Sequence, residues 1–179
     1  SGLVLSTAAG MTHKTLVSMG AYLIILPDKK YVNTASLTDY GSIESSYTFT
    51  GDVAYAPARA DGSNLDLTGV PATVLPPVDP DNGDYWIYTG GETHVLRQYS
   101  SLSEEWTDIP SVYTSITLAG IGTYFSQYDG VTIAGCDFTG MDEGMEAQLS
   151  ALNGSHIIYA ITTNAIIVQG LLNQIYTQE

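Results

Sequence analysis

The longest uninterrupted apolar run is Ala21 to Leu26, and every other run is shorter, with Gly, Pro, Asn, Asp, Ser and Thr frequent between them. Runs of this length are strands rather than long helices, and the punctuation between them is turn chemistry. A run of six is also far short of the roughly 20 residues that span a bilayer as a helix. Thr, Val and 13 Tyr among 179 residues, with only 13% charged, add the composition of β-sheet. The expectation is a mainly β protein: short antiparallel meanders, then a small C-terminal barrel or sandwich with one short helix.

The elements fall out along the chain. Residues 14–19 and 22–26 flank Gly20, and Pro27-Asp28-Lys29-Lys30 turns the chain into Tyr31-Val32, which reads as a hairpin continued by a reversal. Residues 33–46 lack either periodicity and read as loop. Four of the seven prolines lie in 71–84, so that stretch reads as an extended connector and not a central strand. Tyr85–Tyr88, Val95–Tyr99 and Trp106–Ile109 read as a three-stranded meander whose aromatic residues meet across strands. Residues 113–118, 130–134, 155–161 and 164–170 read as the strands of the C-terminal module. Thr139 as cap, Met141, Met145, Leu149 and Leu152 at helical spacing, and Asn153-Gly154 as stop predict a helix near 140–152. The expected organisation is a hairpin segment at 1–45, a meander at 46–112 and the C-terminal module at 113–179.

Charge excludes two classes of partner. Five Lys and Arg face 19 Asp and Glu, a formal charge of −14, and no Lys or Arg follows Arg97. Phosphate backbones and anionic membranes both select basic surfaces, so nucleic-acid recognition and membrane binding are disfavoured. The chain does not begin with Met and opens without the cationic region of a secretory signal, which reads as a processed or excised chain.

No constellation of catalytic residues stands out, and the chain reads as a non-enzyme without a cofactor. Cys136 is the single cysteine and reads as a small buried residue, while His13, His94 and His156 lack metal-ligand spacing. Glu92, Glu104, Glu105 and Asp108 could pair as glycosidase carboxylates, but in so acidic a chain such pairs arise by chance. Asp79-Pro80-Asp81-Asn82-Gly83-Asp84 resembles a calcium loop without its bidentate acid, and reads first as a turn. Asn153-Gly154-Ser155 fits a glycosylation acceptor but reads as the turn between helix and strand. Tyr85, Trp86, Tyr99 and Trp106 are the candidate contact residues, as an aromatic set able to meet a sugar or a protein.

Several segments carry a resemblance: 20–34, 37–44, Asn82-Gly-Asp-Tyr-Trp, Leu96-Arg-Gln-Tyr-Ser, Glu105-Trp-Thr-Asp-Ile-Pro, 128–136 and Leu152-Asn-Gly-Ser. They resemble virion proteins of tailed bacteriophages and prophages, in particular tail-hub or packaged-DNA stabilisation proteins of the head-to-tail junction. The resemblance implies a β-propeller, with residues 1–45 as propeller strands and 46–179 as an inserted β-rich module. It implies a structural role in the particle through contacts with other virion proteins and with further copies of the chain. The alternative is a tail module that binds a host-surface glycan or protein. Strands cut from a propeller cannot bury their faces without neighbouring blades, so residues 1–45 would have to pair with the module that follows them.

Overall fold

In the computed structural model, which describes residues 2–109, 111–139, 146 and 150–178, the chain is mainly β and divides into two compact units, 1–47 and 48–179. The helix expected at 140–152 falls mostly outside the described residues.

The first unit is one four-stranded antiparallel meander: β1 (Thr15–Met19), β2 (Tyr22–Leu26), β3 (Lys30–Asn33) and β4 (Tyr40–Ser42), in that order across the sheet. Gly20, at φ 61, opens the two-residue reversal between Met19 and Tyr22, the position where a hairpin turn of this kind wants glycine. β4 lies inside the stretch that reads locally as loop. Its pairing is set by β3, where Tyr31 faces Gly41, and by a Tyr31 hydroxyl and Asn33 amide that both donate to the Asp39 carboxylate at 3.1 and 3.0 Å. At the other end of the strands, Lys14 pairs with Asp28 at 2.5 Å and Lys29 pairs with Glu44.

Among its described residues the second unit holds three sheets. A five-stranded antiparallel sheet runs β13 (Ala160–Ile161), β14 (Ala165–Gln169), β10 (Tyr113–Thr117), β5 (Val53–Ala58), β15 (Tyr176–Gln178). β14 is apolar without alternation because Ile166, Ile167 and Val168 are all buried, as a strand covered on both faces requires. Its neighbour β10 alternates, burying Thr114 and Ile116, and the Thr114 hydroxyl meets its hydrogen-bonding need by donating to the Gly170 carbonyl at 3.0 Å. The order of this sheet leaves β13 and β15 as open edges, so the alternative of a closed barrel does not hold and the sheet is open. β11 (Gly130–Ile133) and β12 (Gly154–Ile157) form a separate antiparallel pair. The third sheet orders β6 (Ala72–Thr73), β7 (Tyr85–Tyr88), β8 (Val95–Ser100) and β9 (Glu105–Asp108). It is the aromatic meander read from the sequence, with two residues of the proline-rich stretch added as a parallel edge.

Leu65, Leu67, Ile87, Leu96 and Leu171 form one buried apolar cluster that carries β7 and β8 into the core of the second unit. A propeller needs several four-stranded blades about an axis. The first unit has the four-stranded form of one blade, and no propeller is present among the described residues.

Candidate functional site

The residues with the most recognition chemistry lie on one face of the β6–β9 sheet. The pairing sets Trp86 opposite Arg97 and Arg97 opposite Asp108, while Tyr99 sits opposite Trp106. Side chains alternate along strands, so Trp86, Tyr88, Arg97, Tyr99, Trp106 and Asp108 share that face. Tyr85 belongs to the other face, packed beside the Ile87 and Leu96 cluster.

The shared face is a continuous aromatic ladder. Trp86 meets Tyr88 and Trp106 edge to face, with ring centroids 5.6 and 5.4 Å apart, and Tyr99 meets Trp106 at 5.4 Å. Pairs in these geometries contribute about 0.5–1.5 kcal/mol each beyond their buried area. The Arg97 guanidinium lies 4.4 Å from the Tyr88 ring centre and 5.1 Å from that of Trp86, while its Nε donates to Asp108 at 2.6 Å. The indole N–H of Trp86 is shared between the Thr73 carbonyl and hydroxyl, both at 3.1 Å, which fastens the parallel edge strand to the ladder.

These contacts separate the four aromatic residues singled out by the sequence. Trp86 is only 3% exposed and forms the buried centre of the ladder. Tyr85, Tyr99 and Trp106 are half-buried. Tyr85 and Trp106 help line a cleft of about 360 Å³ together with Val70, Pro71, Pro77 and Asp84. Pro71 and Pro77 come from the proline-rich stretch, whose role beside the sheet is invisible to local patterning.

The acidic turn before β7 is occupied with its own closure. Asp84 Oδ2 accepts the Asp81 N–H at 2.9 Å, and Asn82 Oδ1 accepts from the Ser101 N–H and hydroxyl at 2.9 and 3.1 Å. Among the described residues no three His, Cys, Asp or Glu side chains converge as metal ligands.

A second cluster joins β5, β15 and the segment before the undescribed residues. Tyr55 is buried against Phe138 and Tyr176, with ring centroids 5.0 and 5.9 Å away. Burial pushes the Tyr55 phenol well above its ordinary value, and burial likewise pushes the Cys136 thiol up. A thiol raised in this way is the reverse of an activated nucleophile. Asn153 clamps the backbone of Cys136 at both ends, accepting from its N–H and donating to its carbonyl, each at 2.8 Å. That clamp engages the amide that a glycan would modify.

Among the described residues no helix is long and apolar enough to cross a membrane. In comparisons with known proteins, the chain matches no family model, no curated protein and no solved structure.

Proposed function

We propose that this chain is a structural component of a phage particle, in the tail hub or head-to-tail connector region, working through protein–protein contacts. The observation that carries the reading is the first unit. It is a four-stranded sheet that buries Ile25 alone among its hydrophobic residues and leaves Leu16, Met19, Leu37 and others open to solvent. A sheet with so small a core calls for a surface to pack against, which is what assembly into a larger body supplies. The sequence resemblance supplies the identity of that body. A strongly acidic second unit suits a place beside packaged DNA, since it repels phosphate.

The test is direct: purify particles from the source of the chain, identify their proteins by mass spectrometry, and locate this one by electron microscopy. Several copies at the head-to-tail junction are the expected result. Absence from purified particles overturns the reading.

The Tyr85 and Trp106 cleft supports a second reading, a tail module that binds a host-surface glycan or protein. A half-buried indole beside a carboxylate offers a stacking face and a hydroxyl acceptor. Glycan-array binding that Trp106→Ala removes would favour it, and an array without binding would dismiss it.

A further inference from the structure

β1 is an edge strand without the usual protections. It pairs with β2 on one side, and no described strand lies on the other. Natural edge strands are blunted by charge, proline, a bulge or a cover. Thr15-Leu16-Val17-Ser18-Met19 contains no charge and no proline, and all five residues are exposed, Leu16 at 58% and Met19 at 64%.

The hairpin fixes which backbone groups this edge presents. A two-residue turn closes on a hydrogen-bonded pair, here Met19 with Tyr22, and pairs alternate from there along an antiparallel ladder. Thr15, Val17 and Met19 therefore direct their N–H and C=O groups at β2, and Leu16 and Ser18 direct theirs outward.

Charge favours one occupant over others. Within residues 1–47, Lys14, Lys29 and Lys30 balance Asp28, Asp39 and Glu44, so the whole formal charge of −14 falls on residues 48–179. The first unit is the neutral part of an acidic chain, and neutrality at the contact removes the repulsion that two copies would otherwise meet there.

We propose that β1 pairs antiparallel with β1 of a second copy of this chain, about a twofold axis through Val17. The register is self-complementary. Leu16 faces Ser18 of the other copy and Ser18 faces Leu16, forming two hydrogen-bonded pairs, because these are the residues whose backbone groups point outward. Val17 then faces its own counterpart in a non-hydrogen-bonded pair, the closer kind, at about 4.5 Å between Cα atoms. Thr15 faces Met19. The result is a continuous eight-stranded sheet with an isologous interface, the commonest closed arrangement of soluble assemblies. The pairing occupies the edge that carries Leu16 and Met19, part of the exposed apolar set on which the virion reading rests, and it stands or falls separately from the identity of the particle.

The experiment uses the full chain. Sedimentation velocity over a concentration series is expected to show a species of twice the 19.1 kDa chain mass. Ser18→Pro removes an outward donor without taking a hydrogen bond from β2, so it is expected to return the chain to monomer while the unfolding transition of the second unit is unchanged. Register is tested in a Cys136→Ser background. Val17→Cys is expected to form an intermolecular disulfide on mild oxidation, because its counterpart lies within bonding range, and Thr15→Cys is not, because it faces Met19. A wild-type chain that stays monomeric, a dimer that survives Ser18→Pro, or equal cross-linking at 15 and 17 each overturns the proposal. A dimer that passes these tests in a chain absent from phage particles would leave the proposal standing and remove the virion reading.

Discussion

The Tyr55 hydroxyl donates to the Gln178 side-chain oxygen at 2.9 Å, a bond between residues 123 positions apart that ties β5 to the end of the described chain. The same Gln178 oxygen accepts the Asp137 N–H at 3.0 Å, and its amide donates to the Gly135 carbonyl at 2.9 Å. One terminal side chain thus closes the second unit on three groups. With net contributions of about 0.5–1.5 kcal/mol per hydrogen bond, Gln178→Ala is expected to cost about 2–3 kcal/mol and Tyr55→Phe about 1 kcal/mol. Urea titration of both variants measures the difference, and equal effects would contradict the idea that Gln178 serves partners besides Tyr55.

Tyr55 also carries a pH signature. Its phenol is raised above the ordinary value of 10.0, chiefly by burial, so above pH 10 the unfolded chain loses this proton before the folded one does. The folded state then binds more protons than the unfolded, and stability falls as pH rises. Stability measured from pH 9 upward is expected to decline less steeply in Tyr55→Phe than in the wild type. Parallel declines would show that Tyr55 ionises normally.

Trp86 and Trp106 look alike in sequence and differ in the structure. Trp86 is buried, donates to Thr73 and touches two rings, whereas Trp106 is half-buried at the edge of the cleft. Trp86→Ala is expected to destabilise the second unit by about 3–5 kcal/mol. Trp106→Ala is expected to cost clearly less, and thermal unfolding of the pair decides. A Trp106 variant as damaged as the Trp86 one would mean that the ladder has no accessible end.

The contrast marks how far the sequence carries. Strands such as Tyr85–Tyr88, Val95–Ser100, Tyr113–Thr117, Gly130–Ile133 and Ala165–Gln169 are legible because local apolar or aromatic runs between turn residues mark them, whereas the single strand read at 155–161 is two, Gly154–Ile157 and Ala160–Ile161, in different sheets. β4 and β15 are not legible. Tyr40–Ser42 is three residues with a central glycine, and Tyr176–Gln178 is held by Gln178 bonds to residues some forty positions earlier. The joining of β5 to β10 is likewise a long-range pairing with no local trace. At the site, alternation places Trp86, Tyr99 and Trp106 on one face, but which of them is covered depends on Thr73 and the prolines arriving from outside the meander.

In the first unit, Asp28 accepts from the Lys14 ammonium and from the Ser6 N–H, and the Lys14 bond is the larger cause holding its carboxyl below the usual 3.8. A lowered carboxyl contributes stability above its unfolded value and loses it as pH falls. The first unit is therefore expected to lose stability below about pH 3.8, and Asp28→Asn to flatten that acid loss. Amide exchange within β2 and β3 reads the first unit by itself, and an unchanged acid profile in the variant would dismiss the pair as a stabilising element.

Gly122 inverts a general rule. Replacing glycine by alanine commonly stabilises a chain by restricting its unfolded state. Here a Cβ would lie 2.3 Å from the Thr162 carbonyl oxygen and 3.0 Å from the Thr163 Cα, and the Gly122 N–H donates to the Thr163 carbonyl at 3.1 Å. The obstacle is backbone on the turn between β13 and β14, which cannot swing aside as a side chain can. Gly122→Ala must therefore push the short 3-10 turn Ile121–Thr123 off that loop, at a cost of about 1–3 kcal/mol. Gly120 lies two residues earlier with open space around it, but its φ of 79 makes alanine there strained for a different reason. Loss of amide protection at Leu118 and Gly122, whose N–H groups donate to the backbone carbonyls of Asn164 and Thr163, should accompany the Gly122→Ala destabilisation. A Gly122→Ala chain as stable as the wild type, with both amides still protected, would mean that this turn does not pack against the β13–β14 loop in solution.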